Sequence, residues 1–271
     1  MKRVLFIGNS HVAAMRAAWL ADRDRWPGIS AAFAGGHRNA LLETEIRDGV
    51  LCGRSGAARS ALSQLSSVPV IRPDDYDAVV VTGCQVSVAA ILPVWHGLRW
   101  VGLPSVAAEG DLAAAPFGLC GRETAVAAMA GVLGTRLGPR LAAHLAPHVR
   151  GPVHVTAQPR ASATLRGGRA PHTYLHRVAL SAGDGPGISA AFEAAAGRAV
   201  AVAGGLYLPQ PASTIAGSIL TRAAFMHGAE RLTGTPGTAQ PDDDIRHANA
   251  CYGALVVDGV VAALRASAAV M

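Results

Sequence analysis

The first twenty residues constrain the fold of this chain more than any other stretch. Four consecutive apolar residues, Val4 to Ile7, end at Gly8, and an alanine-rich run follows from Val12 to Leu20. A short apolar run that ends at a glycine is typical of a buried strand, and the longer run after it predicts a helix. The turn between them places Ser10 where backbone N–H groups and the positive end of the helix dipole point into the same space. Ser10 is therefore a potential nucleophile; in the simpler interpretation, Asn9 or Ser10 only caps the helix.

A second polar motif lies near the other end of the chain. Asp244 and His247 are three residues apart, just before an apolar helix predicted at residues 248–266. A carboxylate beside an imidazole supplies the base and the orienting group that activate a serine hydroxyl. The two motifs together favour nucleophilic catalysis by Ser10 over a capping role.

The two motifs resemble those of the SGNH, or GDSL-like, hydrolases. In that family a strand ends in Gly-Asp-Ser and a C-terminal block reads Asp-x-x-His; here the first block is Gly8-Asn9-Ser10-His11 and the second is Asp244-x-x-His247. The resemblance implies a serine hydrolase that cleaves a small acyl ester, such as an O-acetyl group on a carbohydrate or metabolite, with no cofactor and no metal. It further implies that Ser10 is the nucleophile, His247 the general base and Asp244 the group that orients the imidazole.

The resemblance also implies three donors to the oxyanion. The first is the N–H of Ser10, and the second is the N–H of a glycine after the second strand, either Gly35 or, as we favour, Gly36. The third is an amide side chain, for which the family has the asparagine of Gly-x-Asn-Asp and this chain has the glutamine of Gly83-Cys84-Gln85. Glutamine carries the same amide donors on a stem one methylene longer, so Gln85 is expected to take that role.

Strands that alternate with helices along the chain predict an α/β fold. The expected architecture is a three-layer α/β/α sandwich with a parallel, flavodoxin-like sheet of about five strands, in a single domain of residues 1–271. The predicted strands are residues 4–7, 28–34, 76–83 and 152–159, with residues 198–204 leading into a fifth. The predicted helices are residues 12–20, 122–149 (two in line, interrupted at Gly138-Pro139), 171–180, 214–232 and 248–266. We expect an exposed loop at 53–60 and an irregular lid or pocket insertion, with Trp95 and Trp100, at 92–118.

The charge pattern limits the class of partner. The formal net charge is +6, from 24 Lys and Arg against 18 Asp and Glu, but the basic residues are scattered singly, with no basic run that has interleaved aromatic residues. Nucleic-acid binding is therefore not expected, whereas an anionic or sugar-linked small-molecule ester suits the charge. Hydrophobic residues make up 51% of the chain and charged residues 15%, which predicts an extensive core.

The sequence gives little indication of a membrane helix, of disulfide bonds or of a metal site. No stretch reaches the length of uncharged apolar sequence that a membrane helix needs, and cleavage of the first apolar run as a signal peptide would remove Ser10. The cysteines are widely spaced, which predicts reduced thiols and a cytoplasmic location; they are Cys52, Cys84, Cys120 and Cys251. His144 and His148 are four apart but lack a third ligand nearby, so no metal site is expected.

Two alternatives to hydrolysis stay open. One is an acyltransferase that uses the same triad with a sugar or an amine in place of water. The other is a non-catalytic module in which the Gly8 to His11 turn holds an anion or sugar at a helix N-terminus. The neighbours of the nucleophile, Asn9 and His11, are expected to contact the substrate, since adjacent residues at a helix start point in different directions. The sequence does not predict the oligomeric state.

Overall fold

A parallel sheet of five strands lies at the centre of the molecule. The computed structural model describes residues 1–36, 39–167 and 173–268. In this part of the chain the strands are β1 Lys2–Gly8, β2 Ile29–Gly35, β3 Thr44–Arg47, β4 Val50–Gly53, β5 Ala78–Thr82, β6 Leu98–Trp100, β7 Gly118–Cys120, β8 Val153–Thr156, β9 Leu206–Leu208, β10 Ile215–Ala216 and β11 Leu220–Thr221. The central sheet has the order β2-β1-β5-β8-β9 and is parallel throughout. This is the flavodoxin-like order, in which ligands bind at the carboxyl ends of the strands beside the first strand.

Both faces of the sheet are buried, which explains why its strands are continuous apolar runs. Along β1, Val4 and Phe6 belong to a cluster on one face, whereas Leu5 and Ile7 belong to a cluster on the other, because successive side chains of a strand point to opposite faces. All four are at most 1% exposed. A parallel sheet of this kind needs helices on both sides.

Helices provide that cover. They are α1 Val12–Ala21, α2 Gly56–Leu65, α3 Val88–Gly97, α4 Pro104–Ala107, α5 Arg122–Gly134, α6 Leu137–Leu145, α7 Tyr174–Ser181, α8 Gly185–Val202 and α9 Ala250–Ala268. The face with Val4 and Phe6 is covered by α1, α9 and part of α2. The face with Leu5 and Ile7 is covered by α3, α5, α6 and α8. The predicted α/β/α sandwich with about five parallel strands is confirmed.

Close packing of α1 against α9 fixes the positions of the two sequence motifs. α1 begins just after Ser10, and α9 begins just after His247. The helices meet at Gly253, where a Cβ would lie 2.1 Å from the carbonyl oxygen of Ala14. A larger residue at this position would push the helices apart, and with them the segments that carry Ser10 and His247.

Two segments have a different secondary structure from the one predicted from the sequence. Residues 53–60 include the start of α2 rather than only an exposed loop, and Ser55 caps this helix by accepting a hydrogen bond from the Ala58 N–H. Residues 214–232 contain β10, β11 and a short 3₁₀ turn instead of the predicted helix. Ser218 has a φ of +67° between β10 and β11, a left-handed conformation that an α-helix does not accommodate.

Three predicted boundaries shift. Residues 198–202 are the last turns of α8, and the fifth strand of the sheet is the later β9. The break between α5 and α6 falls before Gly138-Pro139, because Pro139 lies in the first turn of α6, where its missing N–H has no helical partner to lose. Of the helix predicted at 171–180, residues 171 and 172 lie outside the described residues, and α7 covers 174–181.

The segment 92–118, predicted as an irregular insertion, contains regular elements and supplies core residues. It includes the end of α3, β6 and α4. Trp95 is fully buried and Trp100 is 3% exposed, both in the cluster on the α3 face of the sheet. The Trp95 Nε1–H donates to the buried Asp184 carboxylate at 2.9 Å. The two tryptophans therefore belong to the core rather than to an acyl pocket.

Several other features of the described residues bear on the sequence predictions. No helix among them combines the length and the apolar character that crossing a bilayer requires. They bring no three His, Cys, Asp or Glu side chains together in a way that could hold a metal ion. All four cysteines of the chain are free thiols, of which Cys251 is exposed.

Candidate active site

Ser10, His247 and Asp244 form a continuous chain of hydrogen bonds. Ser10 Oγ lies 2.8 Å from His247 Nε2, and His247 Nδ1 lies 2.6 Å from Asp244 Oδ2. When Nδ1–H donates to the carboxylate, Nε2 is left to accept the proton of the Ser10 hydroxyl. This is the arrangement in which an imidazole acts as a general base toward a serine.

Backbone donors hold the Asp244 carboxylate in place. Its Oδ1 accepts hydrogen bonds from the N–H of Arg246 at 2.6 Å and from the N–H of His247 at 3.1 Å. Burial raises the pKa of Asp244, but the hydrogen bonds from the His247 ring and from these backbone groups outweigh it and lower the pKa from 3.8 to about 2. Asp244 therefore stays ionised well below neutral pH and keeps its hold on the imidazole. The neighbouring Asp242 and Asp243 are exposed.

The turn after β1 leaves Ser10 with a free backbone donor. The carbonyl groups of Asn9 and Ser10 accept hydrogen bonds from the N–H groups of Val12 and Ala13 in the first turn of α1. The N–H of Ser10 itself has no acceptor among the described residues, so it can donate to an oxyanion at the helix N-terminus. Ser10 does not cap α1 with its side chain, since its Oγ bonds to His247 Nε2 instead, and His11, the residue before α1, makes no side-chain cap either.

Asn9 is engaged within the turn. Its Oδ1 accepts a hydrogen bond from the His11 N–H at 3.3 Å. The same oxygen lies against Gly83, where a Cβ would come within 3.0 Å of it. Its predicted contact with substrate stays a prediction.

His11 lies against the ring of His247. Their ring centroids are 5.1 Å apart with an angle of 26° between the planes. His11 is 6% exposed. Burial, followed by the proximity of His247, lowers the pKa of His11 from 6.5 to about 3, so the ring is neutral near pH 7. His11 therefore stacks against His247. Because so little of His11 is exposed, its predicted contact with substrate stays a prediction.

The turn after β5 has an unusual backbone. Gly83, Cys84 and Gln85 have φ angles of +69°, +52° and +67°, and left-handed residues other than glycine cost about 1–2 kcal/mol each. Glycine is required at position 83, because a Cβ there would lie 2.8 Å from His11 Cδ2. Such strain clusters at functional sites. Cys84 is no competing nucleophile, since burial raises the pKa of its thiol to about 12.

Gln85 has a side chain that is exposed. Its amide bonds to none of the described residues, because the hydrogen bond that involves this residue is made by its backbone N–H. Ser87, not Gln85, caps α3, since Ser87 Oγ accepts from the N–H of Ala90. The Gln85 amide is therefore free to donate to a ligand, as the oxyanion hypothesis requires.

Gln158 is a site residue that the sequence analysis missed. It follows β8, and its Oε1 accepts a hydrogen bond from the Gln85 N–H at 3.3 Å, while its own N–H donates to the Val86 carbonyl at 2.8 Å. Gln158 thus ties the strained turn after β5 to the end of β8. Its signal in the sequence was its place directly after a buried strand, where ligand-binding residues of parallel sheets gather.

The two glycines predicted as oxyanion donors have packing roles. A Cβ at Gly35 would lie 2.3 Å from Leu232 Cδ2, and one at Gly36 would lie 2.7 Å from Leu41 Cγ. The N–H of Gly36 already donates to the Gly8 carbonyl at 2.9 Å. The preferred donor, Gly36, is therefore not available in this arrangement, and Gly35 is paired opposite Gly8 within the sheet.

A cleft of about 320 Å³ opens beside these residues. Gln85 and Gln158 line it, as do Ile245 and Arg246, the two residues that separate Asp244 from His247. The remaining lining residues are Ser87, Val88, Ala89, Ala90, Arg136, Pro159, Arg160, Ala161, Leu165, Thr173 and His176. The site therefore combines a hydroxyl bonded to an imidazole, a free N–H and a free amide, and the cleft that Gln85 lines adjoins it. Comparison with protein-family models, with curated proteins and with solved structures found no match to this chain.

Proposed function

We propose that this protein is a serine hydrolase of the SGNH type that cleaves a small acyl ester. The observation that carries the proposal is the hydrogen-bonded chain from Ser10 Oγ through His247 to Asp244, with distances of 2.8 and 2.6 Å. Its members come from opposite ends of the chain, and two helices packed in close contact hold them together. Neither a helix cap nor a loop histidine needs this geometry, whereas nucleophilic catalysis does.

The reaction follows from these groups. Ser10 Oγ attacks the carbonyl carbon of the ester while His247 Nε2 takes the hydroxyl proton, and the carbonyl oxygen becomes an oxyanion that accepts hydrogen bonds from the Ser10 N–H and the Gln85 amide. When the intermediate collapses, the C–O bond to the alcohol breaks and His247 returns the proton to the leaving oxygen. Water, deprotonated by His247, then attacks the acyl-Ser10 ester and releases the carboxylic acid and free serine.

The two alternatives use the same site differently. An acyltransferase would replace water by a sugar or an amine in the second step, which product analysis with and without such acceptors would reveal. A binding module would need the free Ser10 N–H but not the bonds of His247 to Ser10 and Asp244. The free thiols support the further proposal of a reducing location such as the cytoplasm.

The test is hydrolysis of p-nitrophenyl acetate by wild type and by Ser10→Ala. Wild type should turn the ester over and Ser10→Ala should not, although its thermal unfolding should be unchanged, since only one partly exposed hydroxyl is lost. Ser63→Ala, an exposed serine on α2, is the matched control and should retain full activity. Absence of turnover by wild type across a panel of short esters would favour the binding module.

A further inference from the structure

The cleft that Gln85, Gln158 and Arg246 line carries positive charge. Three arginines line it, Arg136, Arg160 and Arg246, and no Asp or Glu does so among the described residues. Guanidinium groups stay protonated at any pH at which the protein is folded. Only an arginine that has no carboxylate partner within the protein adds net positive charge for a ligand.

Although the Nε–H of Arg160, like that of Arg136, is buried without an acceptor, the two terminal nitrogens of Arg160 have partners within the fold. Its side chain is 1% exposed and pairs with Glu193 at 2.8 Å, and its second terminal nitrogen donates to Ser189 Oγ at 3.0 Å. The other carboxylate oxygen of Glu193 accepts a hydrogen bond from the Tyr207 hydroxyl. A buried arginine with such partners is a structural pair, so Arg160 brings little net charge to the cleft.

Arg136 and Arg246 have no such partners. Neither side chain makes an ion pair or a hydrogen bond with the described residues. The Nε–H of Arg136 is nevertheless buried and has no acceptor, and a buried donor without an acceptor is costly. Two guanidinium groups on one cleft, one of them with a buried unsatisfied donor, indicate a ligand that supplies the missing acceptors.

These arginines also lie where they could act on a substrate of Ser10. Arg246 directly precedes His247, and its backbone N–H holds Asp244 at 2.6 Å. Gln85, the proposed oxyanion donor, lines the same cleft as both arginines. A small ester with its carbonyl oxygen near Gln85 would extend its remaining part into this space.

We infer that the ester carries an anionic group, a carboxylate or a phosphate, which Arg136 and Arg246 bind in the cleft. This inference rests on the proposed esterase function and specifies its substrate class. Guanidinium groups bind both anions through paired N–H donors, so either chemistry satisfies the same two side chains. The anion lies on the acyl or on the alcohol part of the ester, and substrates with the charge on each part separate these cases.

The test compares esters that differ only in charge. Mono-4-nitrophenyl succinate and its methyl ester place the charge on the acyl part, whereas O-acetyllactate and its methyl ester place it on the alcohol. Wild type should prefer the charged member of one pair in kcat/KM by about ten- to a hundredfold at low salt, the usual effect of hydrogen bonds to a charged group. Inhibition by succinate and by inorganic phosphate shows which anion the cleft prefers.

The preference should fall toward one in Arg136→Met and in Arg246→Met. Arg140→Met is the matched control, because Arg140 is exposed on α6 and does not line the cleft; it should keep the wild-type preference. Arg246 is exposed, so its replacement tests the inference even if Arg136→Met fails to fold. Equal kcat/KM for both members of each pair in wild type, or a preference that survives both replacements, would overturn the inference while leaving the esterase proposal intact.

A failure of the esterase proposal would look different. Wild type would then hydrolyse none of the four esters, and calorimetric titration with succinate and phosphate would still test the cleft directly. Binding of either anion to wild type that is lost in Arg246→Met would support the anion site, and absence of binding would overturn it.

Discussion

The two halves of the candidate site differ in how they are built. The half that would activate the nucleophile is already assembled, since hydrogen bonds of 2.8 and 2.6 Å join Ser10, His247 and Asp244. The ring of His11 stacks against that of His247. The half that would bind the oxyanion has a free Ser10 N–H and an exposed Gln85 amide on a left-handed turn, but the Gly36 N–H is taken by Gly8.

The difference follows from what positions each half. Ser10 and His247 each lie next to a long helix, and these helices are in contact at Gly253, so the core holds the two side chains. Gln158 holds the turn of Gln85 through two hydrogen bonds, from the Gln85 N–H to Gln158 Oε1 at 3.3 Å and from the Gln158 N–H to the Val86 carbonyl at 2.8 Å, but the exposed Gln85 side chain itself has no partner among the described residues. We therefore expect changes in the first half to remove activity and changes in the second half to reduce it.

The largest loss should come from His247→Ala. Without the imidazole nothing takes the proton from Ser10, and loss of such a base costs about 10⁶-fold in kcat. The rate of p-nitrophenyl acetate hydrolysis measures it, with exposed His96 on α3 as the alanine control. A loss of less than tenfold would show that His247 is not the base.

Asp244→Asn should follow, with a loss of about 10⁴-fold in kcat, because an amide in this place favours the wrong imidazole tautomer. Asp243→Asn is the matched control and should change kcat by less than a few fold, since Asp243 is exposed. The reverse result, a silent Asp244→Asn with a damaging Asp243→Asn, would mean that the wrong acid has been assigned.

Gln85→Ala should lower kcat by about 10²–10³-fold, the usual value of one oxyanion donor. The effect should appear in kcat rather than in KM, because the bond strengthens as charge develops on the carbonyl oxygen. Gln85→Asn should recover little, since its amide is one methylene short for this backbone. A change of less than a few fold in Gln85→Ala would remove Gln85 from the site and leave the Ser10 N–H as the oxyanion donor.

The smallest of these losses should come from His11. Removal of the ring in His11→Ala leaves His247 without its stacking partner, and such misplacement of a catalytic group costs up to about 10²-fold. His11→Phe keeps a neutral ring and should restore most of kcat. If His11 instead contacts substrate through its nitrogens, phenylalanine would restore nothing and KM would rise.

Features that depend on neighbouring residues in the sequence could be predicted, whereas features that depend on the tertiary fold could not. The strand at Val4 to Ile7 and the motif at Asp244 to His247 depend on neighbours in sequence, so local patterns were sufficient. Gln158 and the bond that occupies Gly36 depend on which strands lie side by side, which sequence spacing does not show. The aromatic character of Trp95 indicates burial but not whether the surrounding space is core or pocket.

The helix predicted at 214–232 failed for a related reason. An apolar stretch of that composition suits a helix, but the left-handed Ser218 and the pairing of β10 with β11 are set by the chain around it. Tertiary contacts thus overrode the local preference. The side chains of the two end motifs, in contrast, do come together as their residue types and spacing suggested, with Ser10, His247 and Asp244 in one chain of hydrogen bonds.

Covalent labelling of wild type by a fluorophosphonate tests the central claim most directly. The reagent reacts with a serine whose hydroxyl is activated by a base, so intact-mass analysis should show one adduct, and peptide mapping should place it on Ser10. The adduct should be absent from Ser10→Ala and strongly reduced in His247→Ala. An unlabelled wild type, or an adduct on any other serine, would contradict the assignment of Ser10 as the nucleophile.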